Sequence, residues 1–157
     1  MENFSTHTRK TYRKGAWRVG NPSLNLNGNY SQTLDSKNRV IIPQKFRSII
    51  GNPVTMMRGI GSEKHIRVAS AFRWDELCEK FEIMDEDESP REYKKMRVLM
   101  STSYSDLNID GQGRITIPAS LREYAGLTKD VVVAGAGRYV EIWDKEAFEK
   151  MINDDEF

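Results

Sequence analysis

The sequence predicts an α+β fold that is mainly β, assembled from two tandem copies of one unit with short helices. Two observations predict it. The segment LDSKNRVIIP at residues 34–43 returns 75 residues later as IDGQGRITIP at residues 109–118. Around each copy, short runs of alternating or β-branched residues are bounded by glycine, proline and asparagine, which is typical of strands. We therefore interpret the chain as an internal duplication.

Both units have the same predicted order of elements: strand, polar turn, strand, short helix, two further strands and a closing helix. A proline ends the second strand and begins the short helix, because proline disrupts strands and is favoured at the first helical position. A glycine then ends that helix. The predicted strands lie at residues 30–34, 39–42, 54–60 and 66–69 in the first unit and at residues 104–109, 114–117, 131–134 and 139–143 in the second.

Apolar residues at helical spacing predict the longer helices. Trp74 and Leu77 belong to the closing helix of the first unit, and residues 145–152 form that of the second. Pro90 begins a further helix that connects the two units. The single cysteine, Cys78, lies on an apolar stripe, so we expect a packed thiol rather than a reactive one.

The matched positions extend beyond the two quoted segments, which strengthens the evidence for duplication. The further pairs are Phe46 and Leu121, Arg47 and Arg122, Gly51 and Gly126, and, after a slip of one residue, Val68 and Ile142 and Trp74 and Phe148.

The polar turn explains two of its own residues. Asp35 and Asp110 stand at its first position, where a carboxylate can accept hydrogen bonds from the amides of the turn. Asn38 and Gly113 stand at its fourth position, and both residue types tolerate the left-handed conformation that a short hairpin loop requires. We therefore expect a short hairpin whose turn is built by these residues.

The arginine that follows the turn has no such local explanation. Arg39 and Arg114 could form an ion pair with the aspartate four residues earlier, or could grip a phosphate or a guanine edge with the planar guanidinium, or both. Lys37 and Gln112 occupy neighbouring positions at the tip and could contact phosphate and base respectively. We expect seven of these residues to form a DNA-binding site: Asp35, Lys37, Asn38, Arg39, Asp110, Gln112 and Arg114.

The charge of the chain is unevenly distributed. Its net charge is +1, but residues 1–26 carry five basic residues against one acidic residue, so the remainder sums to −3. We interpret residues 1–26 as a flexible basic leader that either has no role or adds phosphate contacts. DNA binding by the remainder would have to come from locally clustered cations.

The sequence contains no pattern of catalytic or metal-binding residues. His7 and His65 lack ligand spacing, and GIGSEK at residues 59–64 lacks the spacing of a phosphate-binding loop. There is no apolar run of membrane-spanning length, no secretory signal, and too few cysteines for a disulfide. We expect a cytoplasmic protein that is not an enzyme and has no cofactor, metal, membrane or small-molecule partner. An assembly module that binds acidic protein partners remains the alternative to DNA binding.

The doubled D-x-x-x-R motif resembles that of the MraZ family of bacterial transcription regulators, within the wider group of AbrB-like (SpoVT-AbrB) swapped-hairpin DNA-binding domains. The likeness covers roughly residues 28–150 and includes GLTKDVVVAG at 126–135 and VEIWDKEAFEK at 140–150. Two features depart from the family pattern. Asn38 stands where the family usually has glycine, and the leader precedes the usual starting point.

The resemblance implies a fold and a function. The fold is a pseudo-twofold double-split β-barrel, to which each repeat contributes half. The implied function is sequence-specific, nucleoid-associated regulation of a division and cell-wall gene cluster by a ring-shaped homo-oligomer that binds double-stranded DNA at short direct repeats in its own promoter. We expect the repeats at residues 29–76 and 105–148, joined by a helical connection at residues 77–104.

Overall fold

The computed structural model describes residues 25–61 and 63–154. The leader predicted at residues 1–26 therefore lies outside the described residues, apart from its last two. The described strands are β1 (Asn29–Thr33), β2 (Arg39–Ile41), β3 (Val54–Arg58), β4 (Ile66–Ser70), β5 (Tyr104–Leu107), β6 (Arg114–Thr116), β7 (Asp130–Gly135) and β8 (Val140–Asp144). The described helices are α1 (Gln44–Ile50), α2 (Ala71–Glu82), α3 (Pro90–Thr102), α4 (Ala119–Ala125) and α5 (Lys145–Ile152).

The two units interleave in one antiparallel sheet of six strands, ordered β1-β7-β8-β4-β3-β5. β3 and β4 of the first unit form a hairpin, as do β7 and β8 of the second. The first strand of each unit is added to the hairpin of the other unit, since β1 pairs with β7 and β5 pairs with β3. This exchange confirms the pseudo-twofold, swapped arrangement that the family resemblance implies.

The hairpin loop that we predicted at each turn is closed by a backbone hydrogen bond between its first and fifth residues, but the strands that flank it do not pair with each other. β1 and β2 flank the first turn but do not pair with each other, because β2 pairs with β6 of the other unit in a separate two-stranded sheet. β1 and β2 diverge after the turn because each of them buries its apolar face against the opposite unit. Sequence alternation identifies the buried face of a strand but not its partner.

The elements otherwise lie close to their predicted positions. Both short helices follow a proline and end at a glycine, and α5 has the predicted bounds. β5 ends at Leu107, two residues early, because Asp106 has a positive φ of 58° and the register with β3 shifts between Val54 and Met56. The proposed repeat boundary at residue 76 falls within α2, and that at residue 104 falls on the first residue of β5.

One hydrophobic core holds both units together. It combines residues of the small β2–β6 sheet, the large sheet and the short helices α1 and α4; its largest fully buried members include Ile42, Phe46, Met56, Ile66, Ile115, Ile117, Leu121 and Ile142. A second cluster lies under α2 and α3, where Met57, Ala69, Met96 and Leu99 are buried. Cys78 is partly buried on α2, and burial raises the pKa of its thiol.

His65 is a buried contact between the units. Its ring stacks on Trp143 of β8 with the centroids 4.4 Å apart, and its Nε2 lies 3.2 Å from Oε2 of Glu141. Although burial opposes ionisation, His65 and Trp143 hold the pKa of Glu141 below its usual value.

Within residues 25–61 and 63–154, no group of three or more His, Cys, Asp or Glu residues is arranged to hold a metal ion. Helices of the described part are all too short or too polar to cross a membrane.

Candidate nucleic-acid interface

The smaller sheet is a ribbon of two short antiparallel strands, one from each unit. We call it the β2–β6 ribbon. In its register, Arg39 lies opposite Thr116, Val40 opposite Ile115 and Ile41 opposite Arg114.

Hydrogen bonds to the turns extend the ribbon at both ends. The Ile42 amide donates to the carbonyl of Gly113 at 2.8 Å, and the Ile117 amide donates to the carbonyl of Asn38 at 3.0 Å. The fourth residue of each turn is therefore fixed to the strand of the other unit. Each turn is held by the ribbon as well as by its own residues.

The two faces of the β2–β6 ribbon differ sharply. Its apolar face points into the core and carries Val40, Ile42, Ile115 and Ile117, each at most 2% exposed. Because side chains alternate along a strand, Ile41 points the opposite way, and it is 46% exposed. Thr116 is also exposed on that outer face.

The outer face carries both arginines of the repeated motif. Arg39 of β2 lies opposite Thr116 of β6, and Arg114 lies two positions before Thr116 on β6, opposite Ile41. The arginines are therefore diagonal neighbours across the ribbon, a relation in which residues are about 7–8 Å apart. Their side chains are 25% and 32% exposed respectively.

Each turn is organised by its aspartate. Oδ1 of Asp35 accepts hydrogen bonds from the amides of Lys37 and Arg39, both at 2.9 Å, while Oδ2 accepts from Nε of Arg39 at 2.7 Å. Thus the aspartate both builds the turn and forms an ion pair with the arginine. The contact of the arginine with a phosphate or a guanine edge stays a prediction.

The second turn repeats this pattern. Oδ1 of Asp110 accepts from the amides of Gln112 and Arg114, and Oδ2 accepts from Nε of Arg114, all at 2.9 Å. At the fourth position, Gly113 has φ of 84° and Asn38 of the first turn has φ of 60°. This confirms the predicted left-handed conformation in both turns.

The same hydrogen bonds set the charge of the aspartates. The amide of Arg39 has the largest effect and holds the pKa of Asp35 below its usual value; desolvation opposes it, while the guanidinium of Arg39 and the amide of Lys37 lower the pKa further. The amide and guanidinium of Arg114 and the amide of Gln112 do the same for the pKa of Asp110. Both carboxylates are ionised at neutral pH and keep their arginines in one orientation.

The ion pair leaves most of each guanidinium available. Among the described residues, the contacts of the Arg39 and Arg114 side chains are those of Nε with the aspartate, so their Nη groups remain available as donors. Lys37 and Gln112 are exposed at the tips of the turns. All seven residues predicted for the site thus lie in two turns at opposite ends of one ribbon.

Sequence reasoning missed the residues that complete the outer face. The pairing of β2 with β6 is what places Ile41 and Thr116 on the outer face. The position of Ile41 between Val40 and Ile42 in the strand could have indicated that its side chain points outward. It also missed Arg47, which lies against the second turn: a Cβ placed on Gly113 would overlap its guanidinium. The recurrence of arginine at positions 47 and 122 is the signal that could have identified it.

Comparison with known proteins gives a consistent result over both units. A family model described as "MraZ protein, putative antitoxin-like" matches residues 26–96 and 100–157. A protein of Micrococcus luteus named "Transcriptional regulator MraZ" is 40% identical over 130 residues, covering 82% of this chain and 87% of that protein.

Two further relatives carry the same name. The protein of Leifsonia xyli subsp. xyli is 39% identical over 123 residues, covering 78% of this chain and 82% of its own length. That of Acetivibrio thermocellus is 35% identical over 131 residues, covering 82% and 87%. A solved structure, "The solution structure of PHS018 from pyrococcus horikoshii", covers 73% of this chain and 95% of that chain at 15% identity, but its TM-score of 0.32 supports no conclusion.

Proposed function

This chain belongs to the MraZ family of transcriptional regulators, and on that premise we propose that it binds double-stranded DNA through the outer face of the β2–β6 ribbon. The observation that carries the proposal is the diagonal placement of Arg39 and Arg114 on one exposed face. The regulator names of the relatives are those of non-enzymatic proteins, and the chain is not an enzyme.

The β2–β6 ribbon is a kind of element that the major groove of DNA accepts. That groove admits a two-stranded β-ribbon, and its base edges carry the hydrogen-bonding pattern that distinguishes sequences. Arg39 and Arg114 would present their Nη groups to guanine edges or phosphates, while Asp35 and Asp110 hold Nε and so fix the direction of each guanidinium. Pre-orientation of this kind lowers the entropic cost of binding.

The remaining residues of the turns have supporting roles in this proposal. Lys37 contacts a phosphate at the first tip and Gln112 contacts a base or phosphate at the second. Asn38 shapes its turn through its left-handed backbone. Ile41 lies between the arginines on the outer face, where an apolar side chain can contact a thymine methyl group.

The finer part of the proposal follows from the family resemblance. We propose that the DNA sites are short direct repeats in the protein's own promoter, next to a division and cell-wall gene cluster, and that a ring-shaped homo-oligomer binds them in the cytoplasm at the nucleoid. The residues that follow the leader have a net charge of −3, so DNA binding by this part of the chain needs several weak contact sites acting together. A ring that displays many ribbons supplies them by raising the effective concentration.

The test measures binding of the protein to its own promoter fragment by fluorescence anisotropy. Arg39→Ala and Arg114→Ala should each weaken binding about tenfold to a hundredfold, since a bidentate arginine contact contributes about 1–3 kcal/mol of discrimination. Arg138→Ala is the matched control, because Arg138 is an exposed arginine in the loop between β7 and β8. Parent-like affinity in both ribbon variants would exclude the ribbon as the DNA site. Capture of an acidic protein by a chain that never binds DNA would favour the assembly module.

A further inference from the structure

We propose that Arg47 is a phosphate contact that belongs to the second turn alone, so the two turns hold DNA with different sets of cations. This inference rests on the proposed DNA-binding function. Arg47 is supplied by α1 of the first unit, whereas the second turn belongs to the second unit. The contact is therefore made between units and cannot be read from either repeat by itself.

The position of Arg47 depends on the absence of a side chain at Gly113. A Cβ added to Gly113 would overlap Nη1 and Cζ of Arg47, so the guanidinium occupies the space that the glycine leaves open. Gly113 is buried although it lies in an exposed turn between the exposed Gln112 and the half-buried Arg114. The guanidinium of Arg47 thus covers the backbone of the second turn directly beside the motif arginine.

The equivalent arginine of the other unit behaves differently. Arg122 occupies the position in α4 that Arg47 occupies in α1, but its Nε donates to the carbonyl of Ile117 at 3.2 Å. The residue that corresponds to Gly113 in the first turn is Asn38, which carries a Cβ where Gly113 has none. The duplicated arginines therefore have different environments: Arg47 lies against a glycine of the turn, whereas Arg122 donates to a strand carbonyl.

The guanidinium of Arg47 has donors available for a ligand. The described residues provide it with no hydrogen bond and no carboxylate within ion-pair distance, and the carboxylate of Asp110 is already engaged by the second turn. Arg47 is partly exposed and borders a shallow groove of about 400 Å³ whose lining includes Asp110 and Gly111. An arginine with unused donors beside a DNA-facing turn fits the planar, bidentate recognition of phosphate.

A phosphate is a better ligand for Arg47 than a base edge. α1 does not lie on the outer face of the ribbon, since its Phe46 and Ile50 are buried in the same core as the inward side of the ribbon. Contacts from the flanks of a groove-inserted element reach the sugar-phosphate backbone, whereas the outer face reaches the bases. Arg47 should therefore contribute to affinity without contributing to sequence preference.

The test compares Arg47→Gln with Arg122→Gln, which is the matched control from the other unit. Binding to the promoter fragment and to a scrambled fragment is measured by fluorescence anisotropy over a range of salt concentrations. Arg47→Gln should weaken binding to both fragments by a similar factor of about three to ten and lower the salt slope by about one per engaged subunit. Arg47→Lys should keep the salt slope, and Arg122→Gln should leave affinity and slope unchanged.

A second variant tests the space at Gly113. Gly113→Asn gives the second turn the residue of the first, which accepts the left-handed backbone but displaces the guanidinium of Arg47. It should reproduce the loss seen in Arg47→Gln, and the double variant should show no further loss. Circular dichroism establishes whether each variant is folded. If Gly113→Asn does not fold, the result for Arg47→Gln alone tests the inference.

The outcomes separate this inference from the function on which it rests. Suppose that the parent binds DNA and that Arg114→Ala weakens this binding whereas Arg47→Gln does not. The inference about Arg47 then fails, and the ribbon proposal stands. An equal loss in Arg47→Lys and Arg47→Gln would overturn the inference as well, because the loss would then not depend on charge. If the parent binds no DNA at any salt concentration, both fail.

Discussion

The two turns at the ends of the β2–β6 ribbon share their internal hydrogen bonds and differ in how the rest of the protein holds them. In the first turn, the amide of Leu34 donates to the backbone carbonyl of Lys129 at 2.9 Å. In the second, the side chain of Asn52 accepts from the amide of Ile109 and donates to its carbonyl, both at 3.0 Å. The turn also gains the guanidinium of Arg47 against Gly113.

This difference indicates which features of a duplicated unit are fixed and which vary. The aspartate and the left-handed residue build the turn, and the arginine pairs with the aspartate within the same five positions, so this local geometry is the same in both copies. The supports are contacts with the other unit, and each can change without altering the turn. We infer that specialisation between the repeats lies in the surroundings of the motif.

The largest expected effect tests whether the two units are separable. Phe46 and Leu121 are equivalent positions on α1 and α4, and both are buried in the same core cluster. Phe46→Ala should lower the free energy of unfolding by about 3–5 kcal/mol and Leu121→Ala by about 2–5 kcal/mol, because each leaves a cavity. Urea denaturation followed by circular dichroism should give one transition for the parent and for both variants. Two transitions would mean that the units fold independently.

A smaller effect should fall on the second turn alone. Asn52→Ala removes the partners of the amide and carbonyl of Ile109 and should lower the free energy of unfolding by about 1–3 kcal/mol. Amide hydrogen exchange should become faster at Ile109 than in the parent and stay unchanged at Leu34, whose partner is a backbone carbonyl. Ser48→Ala, a change of an exposed residue near the same turn, is the control. Equal acceleration at both amides would show that the two supports are coupled.

The smallest effect concerns pH and should be shared by both turns. The pKa values of Asp35 and Asp110 are lowered, so their stabilisation of the turns is complete above the ordinary aspartate pKa of about 4 and is lost as the pH falls through the lowered values. NMR titration of the Lys37 and Gln112 amides should give midpoints below that ordinary value. Arg39→Ala should raise the midpoint at Lys37 only in part, because the backbone amide of residue 39 has the larger effect. A midpoint at the ordinary value in the parent would contradict this account.

Much of the candidate site could be predicted from the sequence because its geometry is local. The amide acceptors Asp35 and Asp110 and the left-handed Asn38 and Gly113 lie within a few positions of their partners, and the structure has them as predicted. The hairpin loop is present at each turn, but the partner of the strand that follows it could not be predicted, since strand alternation specifies a face and not a partner. The DNA-binding roles of the seven turn residues stay predictions.

The sequence by itself therefore determined the duplication, the elements of each unit and the turn that carries the arginine. Only the tertiary structure decided that β2 pairs with β6, which brings Arg39 and Arg114 onto one exposed face. It also decided that Arg47 covers Gly113. The reason is physical: turn formation depends on hydrogen bonds between neighbours in the chain, whereas strand exchange and side-chain packing depend on burying apolar surface between segments that are distant in sequence.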